Sequence, residues 1–195
     1  MGNAKDRLTS MKLEPLYTDR LVVREFALSD REGLMAFVRD QDALKYMMFS
    51  MKDGAELDSF LTMALAGAAD PARFEYHCAI ALRERPDICI GCVSLMGSAL
   101  TPDSAEIGYF LAREFWGRGL TIEAARALVN WGFTKLKLHR VWGKCDTLNP
   151  GSARVLEKLG MQLEGTTREH VWLHDHWRSS FEYGVLDREW KFSTG

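Results

Sequence analysis

The sequence predicts a single α+β domain, on three observations. Strand-like runs rich in β-branched and aromatic residues recur between residues 76 and 112 and again after 138. Amphipathic stretches with recognisable caps lie before, between and after them. No internal repeat, low-complexity tract or linker divides the 195 residues. A chain of that length buries roughly 70% of its unfolded surface and suits one compact domain.

Taken in order, Leu21, Val22 and Val23 within DRLVVREF predict a first strand. Ser29 or Asp30 is expected to cap a helix carrying Leu34, Phe37 and Val38 at helical spacing. A second helix is expected over 53–69, with Leu57, Phe60, Leu61, Ala64 and Leu65 as its buried stripe. It should stop before Asp70-Pro71, because proline disfavours helix in the residue before it. YHCAIALRE, DICIGCVSLMG and SAEIGYFLA predict three strands of an antiparallel meander. Turns between them are expected at Arg85-Pro86-Asp87 and Thr101-Pro102-Asp103. WGRGLTIEAARALVNWGFTKL is a glycine-rich turn running into a long helix, with Ile122, Ala125, Val129, Gly132, Phe133 and Leu136 on one face. HRVWGKCDT predicts another strand. NPGSARVLEKLG predicts a short helix capped by Asn149, with Pro150 early and Gly160 just past its end. Two closing strands should surround VWLHDHWRSSFEYGVL. The first dozen residues lack periodicity, so 1–15 are read as an extension ahead of a domain over 16–195.

Charge narrows the function classes. The 25 Lys+Arg against 27 Asp+Glu leave a formal net charge of −2, which argues against a nucleic-acid binder with its strongly basic face. A small basic pocket for a phosphorylated ligand stays compatible with it. No run approaches the ~18 apolar residues of a membrane helix. Charges stand where a signal peptide would have its apolar core, and Asp6 stands where a myristoylation signal needs Ser or Thr. Four cysteines are too few for a disulfide scaffold in this length and are read as reduced cytoplasmic thiols. The expected setting is cytoplasmic, with neither nucleic acid nor membrane as partner.

The strongest local signal is Trp116-Gly117-Arg118-Gly119-Leu120-Thr121 at a strand-to-helix junction. Glycines allow a tight turn that aims several N–H groups at one point, and the helix start adds its positive dipole end. That combination suits a phosphate or pyrophosphate, with Arg118 and Arg113 able to add charge. The Walker pattern is absent, and the dinucleotide fingerprint lacks its third glycine. Before the loop stands Ala105-Glu106-Ile107-Gly108-Tyr109-Phe110-Leu111. After it come Glu123-Ala124-Ala125, His139-Arg140-Val141 and the segment from Asn149-Pro150-Gly151-Ser152 to Gly160-Met161.

This train of segments resembles the GNAT superfamily of acetyl-CoA-dependent N-acetyltransferases, in its RimJ/RimL-like branch. The likeness is densest over 105–165, with looser support from Thr18-Asp19-Arg20-Leu21 to Phe26. It implies a mixed, mostly antiparallel sheet of about seven strands flanked by about four helices, with the fourth and fifth strands splayed around the pantetheine arm. Backbone groups around Phe110 and Leu111 would pair with that arm, amides of Gly117, Arg118, Gly119, Leu120 and Thr121 would hold the pyrophosphate, and Asn149 would contact pantetheine near the thioester. Trp116 takes the first place of the family loop, Gly119 the fourth and Thr121 the last. Threonine there departs from the family's glycine or alanine. Lys158 and Arg154 lie on a helix beside the expected cofactor, within reach of its 3′-phosphate, although a solvated helix face also accounts for them.

The chemistry can be argued independently. Acetyl transfer to an amine needs a neutral nucleophile, a stabilised oxyanion and relief of charge on the departing thiolate. Deprotonating an α-amine at pH 7 costs about 1 kcal/mol, and a lysine amine about 4.6 kcal/mol. Glu106 is the expected base, since it alternates with Ile107 and projects from the opposite sheet face. A solvated strand-edge glutamate is the plain alternative. No tyrosine lies in the Asn149–Gly160 segment, and Ser152 occupies the place where the resembled branch uses a serine toward sulfur. A first-turn serine bonding the helix backbone is its plain alternative.

Other clusters carry less. Cys89 and Cys92 should point to opposite strand faces, which argues against metal or redox chemistry. His174-Asp175-His176 is expected at a hairpin tip, and zinc there lacks a nameable fourth ligand. That tip and the Tyr46-Met47-Met48-Phe49-Ser50-Met51 cluster occupy regions that line the acceptor pocket in the family, although core packing explains the cluster as well. Trp131, Trp172 and Trp177 are core candidates. The expectation is an N-acetyltransferase moving acetyl from acetyl-CoA to a primary amine, on a protein N-terminus or a small molecule, by direct attack and without metal. The alternative is a silent CoA-binding module. The chain would act as monomer or homodimer.

Overall fold

The computed structural model describes residues 11–47, 51, 53–173 and 175–191. Its strands are β1 (Leu16–Tyr17), β2 (Leu21–Glu25), β3 (Glu75–Leu82), β4 (Arg85–Ser98), β5 (Thr101–Leu111), β6 (Arg140–Asp146), β7 (Gln162–Leu173) and β8 (His176–Leu186). Its helices are α1 (Arg31–Val38), α2 (Gln41–Leu44), α3 (Gly54–Ala69), α4 (Leu120–Trp131) and α5 (Pro150–Lys158). All eight strands form one sheet in the order β1-β2-β3-β4-β5-β6-β8-β7. Only β5 and β6 run parallel; every other neighbouring pair is antiparallel.

The expected α+β class holds, with eight strands in place of seven and five α-helices in place of four among the described residues. The additions are small: the two-residue β1 and the single turn α2, capped by Asp40, which accepts from the amides of Asp42 and Ala43.

Alternation along the strands splits the core into two layers. One packs α4 and α5 against the sheet through Ile107, Leu128, Val129, Val141 and Leu156. The other packs α1 and α3 against the opposite face through Leu34, Phe37, Leu57, Leu61 and Phe110. Phe37 stacks on Phe110 at 4.4 Å between ring centroids, which anchors α1 over the middle of β5. α4 closes in a π-helical turn over Gly132–Leu136, and Trp131 is buried edge-on to Tyr76 as a core residue.

Several local expectations need correcting. The meander turns sit two residues earlier than the prolines suggested. Arg83 and Glu84 join β3 to β4, and Ala99 and Leu100 join β4 to β5, so Pro86 and Pro102 fall near strand starts, where a missing N–H is tolerated. Asp30 does not cap α1 with its side chain. Its carboxylate accepts from Arg24 at 2.7 and 2.8 Å and from the Ala27 amide at 2.8 Å, which ties β2 to the helix start. Cys89 and Cys92 share the α1/α3 layer rather than opposing faces. The register steps from Ile80–Gly91 to Ala81–Cys89, so Ile90 is an extra residue that flips the alternation. Trp172 and Trp177 are 56% and 54% exposed, not core. They pair across β7 and β8 in a stretch that extends past the last β6–β8 partners, Asp146 and Ser180.

Candidate active site

Neighbouring strands part company at one place. β5 pairs with β6 only at Ser104–Arg140, Ala105–Val141 and Glu106–Trp142. Beyond Glu106, β5 stays with β4 as far as Leu111, and β6 stays with β8 as far as Asp146. A wedge-shaped gap therefore opens between Ile107–Leu111 and Gly143–Asp146, the expected splay.

Main-chain alternation decides which groups line the gap. The Ala112 amide donates to Ile90 O, and the Phe110 carbonyl abuts Gly91, so these even-numbered residues bond toward β4. Ile107, Tyr109 and Leu111 accordingly turn their N–H and C=O groups toward the gap. The Leu111 carbonyl is already taken by the Trp116 indole N–H at 2.7 Å. Trp116 thus staples the loop to the strand end, while Phe110 contributes its ring to the α1/α3 layer.

The glycine loop follows from backbone necessity. Gly117 and Gly119 hold φ of 72° and 76°, the left-handed region that glycine enters without the clash a side chain brings. Gly119 is the N-cap of α4, and its carbonyl takes the first helical bond from the Glu123 amide. The amides of Leu120, Thr121 and Ile122 have no partner within the helix, the arrangement that suits an anion.

An acidic residue one turn inside such a site would repel the anion unless neutralised. Glu123 Oε1 accepts from Thr18 Oγ1 at 2.6 Å and from the Arg20 amide at 2.9 Å, while Oε2 accepts from Arg20 Nε at 2.7 Å. Arg20 Nη1 also donates to the Arg118 carbonyl at 2.9 Å. Burial pushes the Glu123 carboxyl up, but the hydrogen bonds from Thr18 and Arg20 outweigh it and hold the group below its ordinary range. A cavity of about 310 Å³ opens beside this assembly, with Arg20, Arg83 and Arg118 on its walls. Arg113, expected to add charge to the loop, instead pairs with Asp42 at 2.6 Å.

Glu106 sits at the apex of the gap, at the last β5–β6 pair. Burial raises its carboxyl above the ordinary range; Lys144 opposes that shift and Glu182 adds to it. Lys144 in turn pairs with Glu182 at 3.2 Å. On the α4/α5 side of the sheet, Asn149 caps α5 by accepting from the Ser152 amide at 3.0 Å. The Ser152 hydroxyl lies 2.9 Å from the Tyr109 hydroxyl. Burial pushes the Cys145 thiol up to about 11, and the nearby Ser152 hydroxyl opposes that shift. Lys158 ends α5 on the surface, and its carbonyl accepts from Arg126 at 2.8 Å, which ties α5 to α4.

The predicted residues thus gather around one opening. Glu106 lies on the α1/α3 side, Ser152 and Asn149 on the α4/α5 side, and the loop from Trp116 to Thr121 at the open end of β5. Lys158 is the outlier, at the far end of α5. Sequence reasoning missed Tyr109 as a partner of Ser152, and the roles of Thr18 and Arg20. Odd–even alternation could have placed Tyr109 opposite to Glu106. Nothing local signals contacts across 43 or 103 positions. In the acceptor-side cluster, Met51 is buried and Tyr46 half-buried, with the Arg178 guanidinium 5.5 Å from the Tyr46 ring. Met48, Phe49, Ser50 and His174 lie outside the described residues. Among the described residues no group of three or more His, Cys, Asp or Glu could hold a metal ion.

Comparison with known proteins converges on one architecture. The sequence profile of the acetyltransferase (GNAT) domain matches residues 20–162. An uncharacterised N-acetyltransferase, p20, of Bacillus licheniformis is 31% identical over 183 residues, covering 91% of this chain and 99% of that protein. A ribosomal-protein-S5-alanine acetyltransferase from Vibrio fischeri superposes with a TM-score of 0.78 at 18% identity, over 92% of this chain and all of the other. A spermidine N-acetyltransferase from Vibrio cholerae, solved with CoA and spermine, superposes with a TM-score of 0.74 at 18% identity, over 88% and 98% of the two chains. At such identities these two likenesses establish the fold alone.

Proposed function

The chain belongs to the GNAT acetyltransferase family, and from that premise we propose that it moves acetyl from acetyl-CoA to a primary amine by direct attack, through the gap between β5 and β6. The gap itself is the observation that carries this reading, because its two sides offer the two halves of the chemistry. A loop of left-handed glycines and unbonded helix amides stands at one end, fit for the pyrophosphate of the acyl donor. The outward-turned backbone of Tyr109 and the N–H of Leu111 can pair with an amide-bearing arm as an edge strand would. Asn149 and Trp116 flank that path, and Lys158 and Arg154 would meet only the outermost phosphate.

In the proposed reaction the amine approaches from the α1/α3 side. Glu106 takes its proton, directly or through one water, as the amine nitrogen bonds to the thioester carbon. Burial suits Glu106 for this, since a base whose pKa is lifted toward neutrality holds the proton better than an ordinary glutamate. Collapse of the tetrahedral species breaks the C–S bond, and Ser152 donates a hydrogen bond to the leaving sulfur.

Trp116 at the loop start and Ser152 in place of a tyrosine favour the RimJ/RimL-like branch. The four described cysteines are free and buried, in keeping with a reducing cytoplasmic setting. We read residues 16–195 as one catalytic domain, with Leu13 of the preceding segment packed into its core. Proteins named for an alanine of ribosomal protein S5 and for spermidine share this fold, so acceptors of both classes are to be tried. A thiol-release assay with acetyl-CoA against peptide N-termini, polyamines, amino acids and aminoglycosides identifies it. Saturable CoA binding without release on any acceptor would overturn the catalytic reading.

A further inference from the structure

Tyr109 Oη stands 2.9 Å from Ser152 Oγ and 3.1 Å from the Ser152 carbonyl oxygen, with one proton to share between them. The carbonyl can only accept; the two hydroxyls can each donate once. Two arrangements satisfy all three atoms without moving a heavy atom. In one, Tyr109 donates to the carbonyl and Ser152 donates to Tyr109. In the other, Tyr109 donates to Ser152 Oγ, and the serine proton is released to point elsewhere. The carbonyl is not orphaned by the change, because helical geometry supplies it a second donor four residues on, at Leu156.

We propose that Tyr109 is a positioning residue that switches between these two bonds, freeing the Ser152 hydroxyl to donate to the departing CoA thiolate. This rests on the reading of Ser152 as the thiol-side donor. The switch supplies hydrogen bonds and transfers no proton. The amine proton goes to Glu106, the C–S bond breaks with its electron pair on sulfur, and the thiolate later takes a proton from solvent. Serine is a far weaker acid than a thiol of pKa about 8.5, so Oγ keeps its proton. Tyr109 keeps its own as well, since burial raises the phenol above its ordinary range, with the Ser152 bond opposing. The Cys145 thiol lies near the same serine, which opposes its upward shift, and the Tyr183 hydroxyl is engaged with Glu157 at 3.3 Å.

The bound product provides a direct readout. A donor aimed at sulfur favours the thiolate, so CoA bound to the enzyme should ionise below a free thiol. Ultraviolet thiolate absorbance between pH 7 and 9.5, taken as the difference between the CoA complex and the free enzyme so that the protein's own tyrosinate signal cancels, reports this. Burial lifts the protein's own thiols out of that window, Cys145 to about 11, Cys92 to about 12, and Cys78 and Cys89 upward as well. Without the Tyr109 hydroxyl donating to Oγ, nothing aims the serine proton at sulfur, so Tyr109→Phe and Ser152→Ala should each raise the pKa of the bound CoA thiol and lower kcat by about ten-fold, the worth of one hydrogen bond to a charged group, with KM for acetyl-CoA within about two-fold. The double variant should be no worse than Ser152→Ala alone, since Tyr109 acts only through the serine.

If Ser152→Ala leaves both readouts unchanged, the Ser152 reading fails and takes this proposal with it. If Ser152→Ala shifts them and Tyr109→Phe does not, or if the two losses add in the double variant, the proposal alone is overturned. A second probe covers any loss of folding in Tyr109→Phe. Difluorotyrosine incorporated at 109 keeps the hydroxyl and strengthens it as a donor, so it should move the bound thiol pKa below the wild-type value. No movement would count against the switch.

Discussion

Glu106 and the Asp146–Arg178 pair are charged groups withdrawn from water on one face of the sheet, and their replacement has opposite consequences. Glu106 has no ion pair of its own among the described contacts, and burial raises its carboxyl. A group whose folded pKa exceeds its unfolded value binds more protons in the native state, so stability falls as pH climbs from the ordinary carboxylate range through the raised value. Glu106→Gln removes that slope. It should increase resistance to urea at pH 7 while lowering kcat by about 100-fold, as loss of a general base does. Full activity in that variant would sink the base assignment. Asp146 and Arg178 are each 2% exposed and 2.5 Å apart, and Asp146 also accepts from the Leu148 amide. Arg178→Met strands the aspartate in the interior and should cost about 3–5 kcal/mol in urea unfolding. Arg31→Met, which breaks the exposed pair with Asp58, should leave the urea midpoint nearly unchanged, because solvent screens that pair.

Among elements, the loop-helix junction was the most legible and the strand turns the least. Trp116 to Thr121 could be placed from two glycines ahead of an amphipathic run, because left-handed backbone and helix starts leave residue-type signatures. The turns between β3, β4 and β5 could not, because the prolines that suggested them are tolerated at strand starts. The bulge at Ile90 also left no local mark, since any residue can be the extra one in a register step. What the loop leans on was hidden for a different reason: Thr18 and Arg20 reach Glu123 across more than a hundred residues. Arg20→Ala should raise KM for acetyl-CoA by about ten-fold, because it unmasks the Glu123 charge beside the phosphate site and releases the Arg118 carbonyl. Glu123→Ala in that background should recover part of the loss, and steady-state kinetics across the cycle checks it. The carboxyl of Glu123 is held low, so its stabilising contribution is present above the ordinary pKa and lost as pH falls through the folded value.

At the scale of the whole molecule, the gap is a sheet that folding leaves partly unzipped. Main-chain groups of Tyr109 and Leu111 face it instead of a neighbouring strand, so an occupant that pairs with them should tighten the fold. Saturation with CoA at 100 times its Kd should add about 2.7 kcal/mol of apparent stability. Hydrogen exchange should slow at Ile107–Leu111 and Gly119–Thr121, and an equal concentration of adenosine, which lacks the pantetheine arm, should protect the first segment far less. Uniform protection across the sheet would mean that the gap is not where CoA binds.

The sequence by itself determined the order of elements, the glycine loop and the α+β class, because propensity, caps and periodicity act within a few residues and are written locally. Only the tertiary structure decided where the sheet opens, that Trp172 and Trp177 stay in solvent beyond the end of β6, and that Tyr109 meets Ser152 while Arg20 meets Glu123. Those outcomes depend on register and on contacts between distant segments, and alternation along a strand assigns a residue's face without naming what it will touch there.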